Sequence, residues 1–449
     1  MRAMGKELRG TLVLAVPIIL GQLGQMLMPL IDSAMIGRLG VVPLASVAFG
    51  NMVVWIPMIV GFGLCVAVHV LAASAHGAGR SGEAGEVLRH GLGLAAIYGL
   101  LCGVGMQFGV NALDHLPHIE PAVIAGAKPY MLWMGWSILP MLLFTVVKNY
   151  AESLNRPWLP MAVLGGCLVL NVFFNCLFIY GYLGAPQLGV AGAALSTLLA
   201  RALGFVVLLA LVFRTPALRP SWPMGIVAGW SGALAWRMLA LGVPSGVQIL
   251  FEVGLFNFTT LLAAMISTIT LDAHQITLNI CSIAYMVPLG LSMATGIRVS
   301  RALGGGRTAE ARRIGWSSFA GALGFMALYA LLVLLTRSWL PEIFLRPDAP
   351  DAPAVLTLAT TLLAWAASFA IFDGMQITLL GALRGMHDVH VPTAILFAGY
   401  WAVSAPLAWY FGLVRGWGGP GVWMGLLAGL IVVAGLLIAR FAVRSRKAA

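Results

Sequence analysis

The segments A-H-G-A-G-R-S-G-E-A (residues 75–84) and A-L-G-G-G-R-T-A-E-A (residues 302–311) carry small residues around one arginine and one glutamate in the same order, 227 residues apart. The same offset carries Pro17 onto Pro244, Gln25 onto Glu252, Gly63 onto Gly290, Arg80 onto Arg307 and Glu83 onto Glu310. One register holds without a gap from Pro17 to Glu83, so the chain contains an internal repeat.

What is repeated follows from the flanking sequence. Of the 449 residues, 60% are hydrophobic and 9% are charged, with a mean hydropathy of +0.95. A soluble domain of this size could not bury that much apolar surface. Apolar runs of about the 20 residues needed to cross a bilayer lie near 11–35, 45–73, 88–110, 124–147, 158–180, 188–213, 233–265, 274–297, 314–340, 353–380, 391–413 and 419–443. The period-two alternation of an outer-membrane barrel is missing. Six runs fall in each half. An even number returns each half to its starting side, so the repeats are parallel, related by an axis along the membrane normal.

The sequence therefore predicts an all-α integral membrane protein of twelve transmembrane helices in two parallel six-helix bundles with pseudo-twofold symmetry. The expected divisions are an N-terminal lobe at 1–213, a cytoplasmic linker at 214–232 and a C-terminal lobe with a short cytoplasmic tail at 233–449. Closely spaced prolines in R-T-P-A-L-R-P-S-W-P (residues 214–223) forbid a continuous helix there. The first apolar run is too long for a signal peptide and no cleavage pattern closes it.

The net charge of +11 lies in short loops and not along a basic face, so no nucleic-acid partner is expected. With the N-terminus cytoplasmic, that side receives Arg9, Arg80, Lys148, Arg307, Arg312, Arg313, Arg384 and Arg440 among many others; the opposite side receives Arg38, Lys128, Arg337, Arg346 and Arg415. The bias places both termini inside. The five cysteines lie in apolar runs without metal or disulfide spacing and read as small buried hydrophobes. His115 and His118 in D-H-L-P-H-I-E suit an exposed loop as well as a metal, and no metal site is expected. No phosphate loop, H-E-x-x-H or G-x-S-x-G occurs, so the reading is not an enzyme, with no cofactor and an ion gradient as the energy source.

Polar residues inside the apolar runs carry the functional argument. A carboxylate such as Glu252 costs roughly 2–4 kcal/mol in a membrane helix, so an idle one is a poor expectation. Ser245, Gln248, Glu252 and Thr259 share one helical face. Gln22, Gln25 and Asp32 form the corresponding stripe on the first helix, which Pro29 is expected to bend. Asp373 and Gln376 lie one turn apart on the tenth helix, Asn171 and Asn175 on the fifth, and Gln275, Asn279 and Ser282 on the eighth. Lipid cannot satisfy such faces, so they are expected to look inward. Arg201 is read as the one basic residue well inside a span, able to pair with one acid as a packing device. The remaining carboxylates would hold a proton or attract a cation, which is the chemistry of a cation-coupled transporter. His69 and His274 are titratable but establish no relay.

Several segments together resemble the multidrug and toxic compound extrusion family almost from end to end: P-L-I-D-S-A-M-I-G-R-L-G on the first helix, S-A-H-G-A-G-R and S-R-A-L-G-G-G-R after the second and eighth, L-G-V-A-G-A-A-L-S-T opening the sixth, and G-A-L-R-G-M-H-D after the tenth. Glu252 and Asp373 resemble the acidic positions of its NorM type, and Asp32 with Asn171 and Asn175 resembles the N-terminal site. The resemblance implies antiport of cationic, amphipathic drugs against protons or sodium. Asp32, Glu252, Asp373, Asn171 and Asn175 would serve coupling; Gln22, Gln25, Gln248, Gln275, Asn279, Gln376 and Phe369 would line the substrate cavity. Organic cations and membrane lipid are the expected partners of a monomeric protein in a bacterial cytoplasmic (inner) membrane. Two positions depart from the pattern: Asn175 stands where some archaeal relatives carry an acid, and Phe369 where some sodium-coupled members carry tyrosine. The rival reading is a lipid-linked glycan or polyprenyl-lipid flippase of the same superfamily, which would place basic residues in the cavity to meet phosphate.

Overall fold

The computed structural model describes residues 2–115, 120–216, 218, 229–344 and 351–447. Among them, twelve helices are long and apolar enough to cross a membrane. They are α1 (Arg2–Gly37), α2 (Val41–Gly77), α3 (Ser81–Gly109), α4 (Pro121–Ser153), α5 (Trp158–Tyr180), α6 (Val190–Arg214), α7 (Gly232–Ile266), α8 (Thr268–Gly304), α9 (Thr308–Thr336), α10 (Ala352–Gly385), α11 (His390–Val414) and α12 (Gly418–Lys447). Each expected run has its helix. Of the expected linker, residues 217 and 219–228 lie outside the described residues, as does His118.

Local chemistry sets the helix ends. Pro121 opens α4 at a position where its missing N–H costs nothing. The Ser267 hydroxyl accepts the Thr270 N–H at 3.0 Å and separates α7 from α8 by a single residue. The repeat is visible in the turns that follow α2 and α8. Gly79 and Gly306 both adopt φ +72°, which glycine enters without a Cβ clash, and Arg80–Glu83 and Arg307–Glu310 both close at 2.8 Å. α1 stays helical through Pro29, and α11 contains π-helical stretches at Ala398–Ser404 and Tyr410–Val414.

The helices form two compact units. One comprises Met1–Ile19 with Val247–Ala449, the other Leu20–Gly246. These divisions differ from the sequence-read lobes because α1 and α7 are each cut within the helix. The two cuts, after Ile19 and after Gly246, are themselves 227 residues apart. Side-chain size explains the exchange. A Cβ on Gly63 of α2 would lie 2.3 Å from the Gly246 Cα, and one on Gly290 of α8 would lie 2.4 Å from Ile19 Cγ1. Glycine thus lets the first half of α7 close on α2, and the first half of α1 close on α8. The second contact is reinforced by Arg298, which donates to Glu7 at 2.6 Å and to Thr11 Oγ1 at 2.7 Å.

Gly63→Val should consequently lower the thermal unfolding midpoint in detergent, with a cost of about 1–3 kcal/mol or more because backbone faces backbone. Gly165→Val, where no atom lies within 4 Å of the new Cβ, is the control. Equal midpoints for the two variants would remove the packing argument.

One correction concerns α4. Its apolar run ends at 147, which puts Lys148 among the expected cytoplasmic loop charges, but the helix runs on to Ser153 and buries Lys148 and Glu152 to 2% exposure. Glu152 accepts from His69 Nε2 at 2.7 Å and lies 3.4 Å from Lys148 Nζ. Arg201 is therefore not alone as a basic group within a span. The i, i+4 spacing of Lys148 and Glu152 and the arrival of His69 from α2 convert three costly groups into one compensated cluster.

Candidate functional site

In the unit Leu20–Gly246, the second half of α1 brings Asp32 against α5 and α6. The N-V-F-F-N spacing puts Asn171 and Asn175 one turn apart on the same face. At the start of α6, Gly192 allows the helix to approach the end of α5: a Cβ there would meet the Phe178 carbonyl oxygen at 2.2 Å. Thr197 then reaches Asp32. Its hydroxyl donates to Oδ2 at 2.9 Å, while Asn175 Nδ2 donates to Oδ1 at 2.6 Å. Asn171 Nδ2 donates to Thr197 Oγ1 at 3.2 Å, extending the chain of neutral donors. Asp32, Asn171 and Asn175 are all buried, and Asn175 Oδ1 is buried with no hydrogen-bond partner.

Arg201 lies within electrostatic reach of Asp32 but donates to Ser137 Oγ at 2.7 Å, and the two form no ion pair among the described residues. The packing-device pairing weighed from sequence is thus absent. Within electrostatic reach of Asp32, the buried Tyr130 hydroxyl donates to Asn51 Oδ1 at 2.9 Å. The result is an anionic group held by neutral donors, with an acceptor oxygen left over beside it.

The unit containing Val247–Ala449 builds a second acidic centre. Glu252 on α7 is half-buried, with Tyr285 of α8 beside it. Asp373 on α10 is buried within electrostatic reach of Glu252, and Tyr285 and Tyr400 lie within the same reach of both acids. Gln376 donates to the Tyr400 hydroxyl and keeps its own Oε1 buried without a partner. Among the described residues, neither acid forms an ion pair. Arg384 acts electrostatically on Glu252, yet its guanidinium is directed to Gln248 Oε1, at 3.1 Å from Nε and 2.7 Å from Nη2.

The other expected residues fall in different settings. Gln248 is 1% exposed and uses both ends of its amide, since Nε2 also donates to Val389 O at 3.1 Å and Thr393 Oγ1 at 2.9 Å. Phe369 is buried between Phe256 and Trp423, with centroids 6.0 and 5.8 Å away, and Trp423 donates to His274 Nδ1 at 3.1 Å. Gln22 and Gln25 are half-buried. Gln275 and Asn279 are exposed, because α8 buries its opposite face through Ala273, Ile276, Thr277 and Ile280.

Three contributors were not assigned from sequence. Tyr285 lies three residues beyond Ser282 and continues the stripe of Gln275 and Asn279, so helical spacing carried a signal for it. Thr197 lies inside the quoted α6 motif but differs in nothing from an ordinary helix hydroxyl. Tyr400 stands in the π-helical stretch of α11, where the wider turn shifts the face that a 3.6-residue period would assign.

The model of the MatE family matches residues 17–177 and 244–410. A protein of Mesorhizobium japonicum named "Probable multidrug resistance protein NorM" is 36% identical over 98% of this chain and 95% of its own. One of the same name from Bradyrhizobium diazoefficiens is 34% identical over 99% and 95%. The crystal structure of the eukaryotic MATE transporter AtDTX14 superposes with a TM-score of 0.85 at 19% identity, covering 99% of both chains. An outward-facing multidrug resistance MATE family transporter of the MOP superfamily gives 0.89 at 18%, over 98% and 96%. At those identities the structures speak for the fold. The family match and the near-full-length relatives go further: the chain belongs to the multidrug and toxic compound extrusion (MATE) family.

Proposed function

We propose that this protein is a secondary active multidrug efflux transporter, exporting cationic amphipathic compounds by antiport with protons or sodium ions through alternating access. The observation that carries the reading is a contrast among its acids. Glu152 is met by Lys148 and His69, Glu7 by Arg298 and Asp388 by Arg440. Asp32, Glu252 and Asp373 have no such partner among the described residues; Asp32 is held by the neutral Asn175 amide and Thr197 hydroxyl, and Glu252 and Asp373 lie within reach of each other and of Tyr285 and Tyr400.

An acid in low-dielectric surroundings without a fixed counter-cation is stabilised by a mobile one. In the coupling role, Asp32 with Asn175 would offer three oxygens to a proton or a small cation, with Asn171 setting the geometry through Thr197. Glu252 and Asp373 together would attract a cation more strongly than either alone. Gln22, Gln25, Gln275, Asn279 and Gln376 would supply polar walls and Phe369 an aromatic one; Gln248 would act by fixing Arg384. Drug and coupling ion would compete for the acidic regions, so occupation by one favours release of the other. The basic bias of the loops supports cytoplasmic termini in a bacterial inner membrane, and the reading is of a monomer with no cofactor.

The test is efflux of a fluorescent organic cation from proteoliposomes containing the full chain. A sodium gradient and a pH gradient are imposed separately, each with its dissipating ionophore. Movement under one of them, abolished when that gradient collapses, is expected. Absence of movement under both would refute the antiport reading.

A further inference from the structure

Trp230, just before α7, lies against α3 in the unit Leu20–Gly246 with half of its surface exposed. Its ring stacks on His90 of α3 with centroids 4.5 Å apart, and a Cβ on Gly93 would meet it at 2.7 Å. Arg89 donates to the Gly229 carbonyl at 2.6 Å, and the Ser231 N–H donates to His90 Nε2 at 2.8 Å. Residues 229–231 therefore close the space beside the start of α3. At the 227-residue offset, Gly93 becomes Ala320 on α9 and Trp230 becomes an alanine, Ala3. In the other unit the corresponding place is a groove of about 560 Å³ lined by Met4, Arg312, Arg313, Trp316, Phe319 and Ala320.

The charge differs as well. Arg312 and Arg313 stand at the repeat positions of Gly85 and Glu86. Three other arginines of this unit have acidic partners, Arg307 with Glu310 at 2.8 Å, Arg298 with Glu7 at 2.6 Å and Arg440 with Asp388 at 2.7 Å. Among the described residues, no acidic side chain pairs with Arg312 or Arg313. The apolar wall is fixed, because Trp316 packs edge-on against Phe319 and the buried Phe441 at 5.6 and 5.3 Å. Two adjacent cations next to a rigid aromatic wall, at the end of a membrane-crossing helix, complement a phosphodiester followed by an acyl chain.

We infer that this groove is a binding site for an anionic phospholipid, its phosphate held by Arg312 and Arg313 and one acyl chain laid along Trp316 and Phe319. The inference is independent of which ion or drug the protein moves. It is tested on the full chain in mild detergent by titrating phosphatidylglycerol, phosphatidylcholine or inorganic phosphate and reading the gain in thermal unfolding midpoint.

Phosphatidylglycerol should give the larger gain. In the Arg312→Gln/Arg313→Gln variant the phosphatidylglycerol concentration for half-maximal gain should rise, by about five-fold per arginine and roughly 25- to 30-fold for the pair. Phosphatidylcholine should act alike on parent and variant. Equal gains from the two lipids, a variant that keeps the parent's response, or phosphate alone reproducing the gain would each overturn the inference. Because the reading is a difference within each protein, a change in the variant's starting midpoint does not affect it.

Discussion

Glu252→Gln and Asp373→Asn should each reduce gradient-driven efflux by about 5- to 150-fold, the range spanned by a coupling free energy of roughly 1–3 kcal/mol. Both replacements keep the side-chain volume and an oxygen able to accept a hydrogen bond, so insertion into the membrane should be unchanged. What disappears is the negative charge for which ion and drug are proposed to compete. The same variants should lose the displacement of bound organic cation by the coupling ion, measured as fluorescence anisotropy of a dye in detergent. Exchange through the protein without a gradient is expected to suffer less than uphill movement. If both variants pump at the parental rate, these acids do not couple, whatever else the chain transports.

Glu152→Leu should be the most damaging single change for stability among those considered, at about 3–5 kcal/mol, because it leaves Lys148 buried without its counter-charge. The cluster is closed: Lys148 and Glu152 are each 2% exposed and His69 is 5% exposed. Adding Lys148→Met to Glu152→Leu should recover much of the loss, since a buried ion pair replaced by apolar groups of similar volume is often nearly neutral. The contrast with Arg80–Glu83 is instructive. That pair has side chains 59% and 54% exposed, and its removal should cost no more than about 1 kcal/mol. Unfolding rates on heating in detergent provide the comparison, as membrane proteins of this size commonly unfold irreversibly. A single variant as durable as the parent, or a double variant no better than the single, would show that the cluster carries no such energy.

The repeat and the twelve spans could be read from the chain because both rest on one-dimensional regularities. A helix that crosses lipid must satisfy its own backbone and present apolar side chains for its full length, so its existence is written in composition alone. Asp32, Glu252 and Asp373 stood out by the same rule, since a carboxylate in such a run is conspicuous. Lys148 and Glu152 escaped because they lie in the last turns of a helix, where charge is normally a sign of water, and only the approach of His69 reveals that those turns are packed. The exchange of the first halves of α1 and α7 was also hidden: Gly63 and Gly290 matched in the repeat, but nothing in sequence says which helix each glycine admits.

The chain by itself determined that this is a twelve-helix membrane protein with an internal repeat and three acids inside its apolar runs, because hydropathy, periodicity and the cost of burying charge act locally along it. Tertiary structure decided which acids are compensated and which are not. The outcome depends on what distant helices bring, the neutral Thr197 and Asn175 to Asp32 but His69 to Glu152, and on helix faces that π-helical turns and glycine contacts rotate or bring close. Charge is a property of a residue, but whether it remains available is a property of its neighbours.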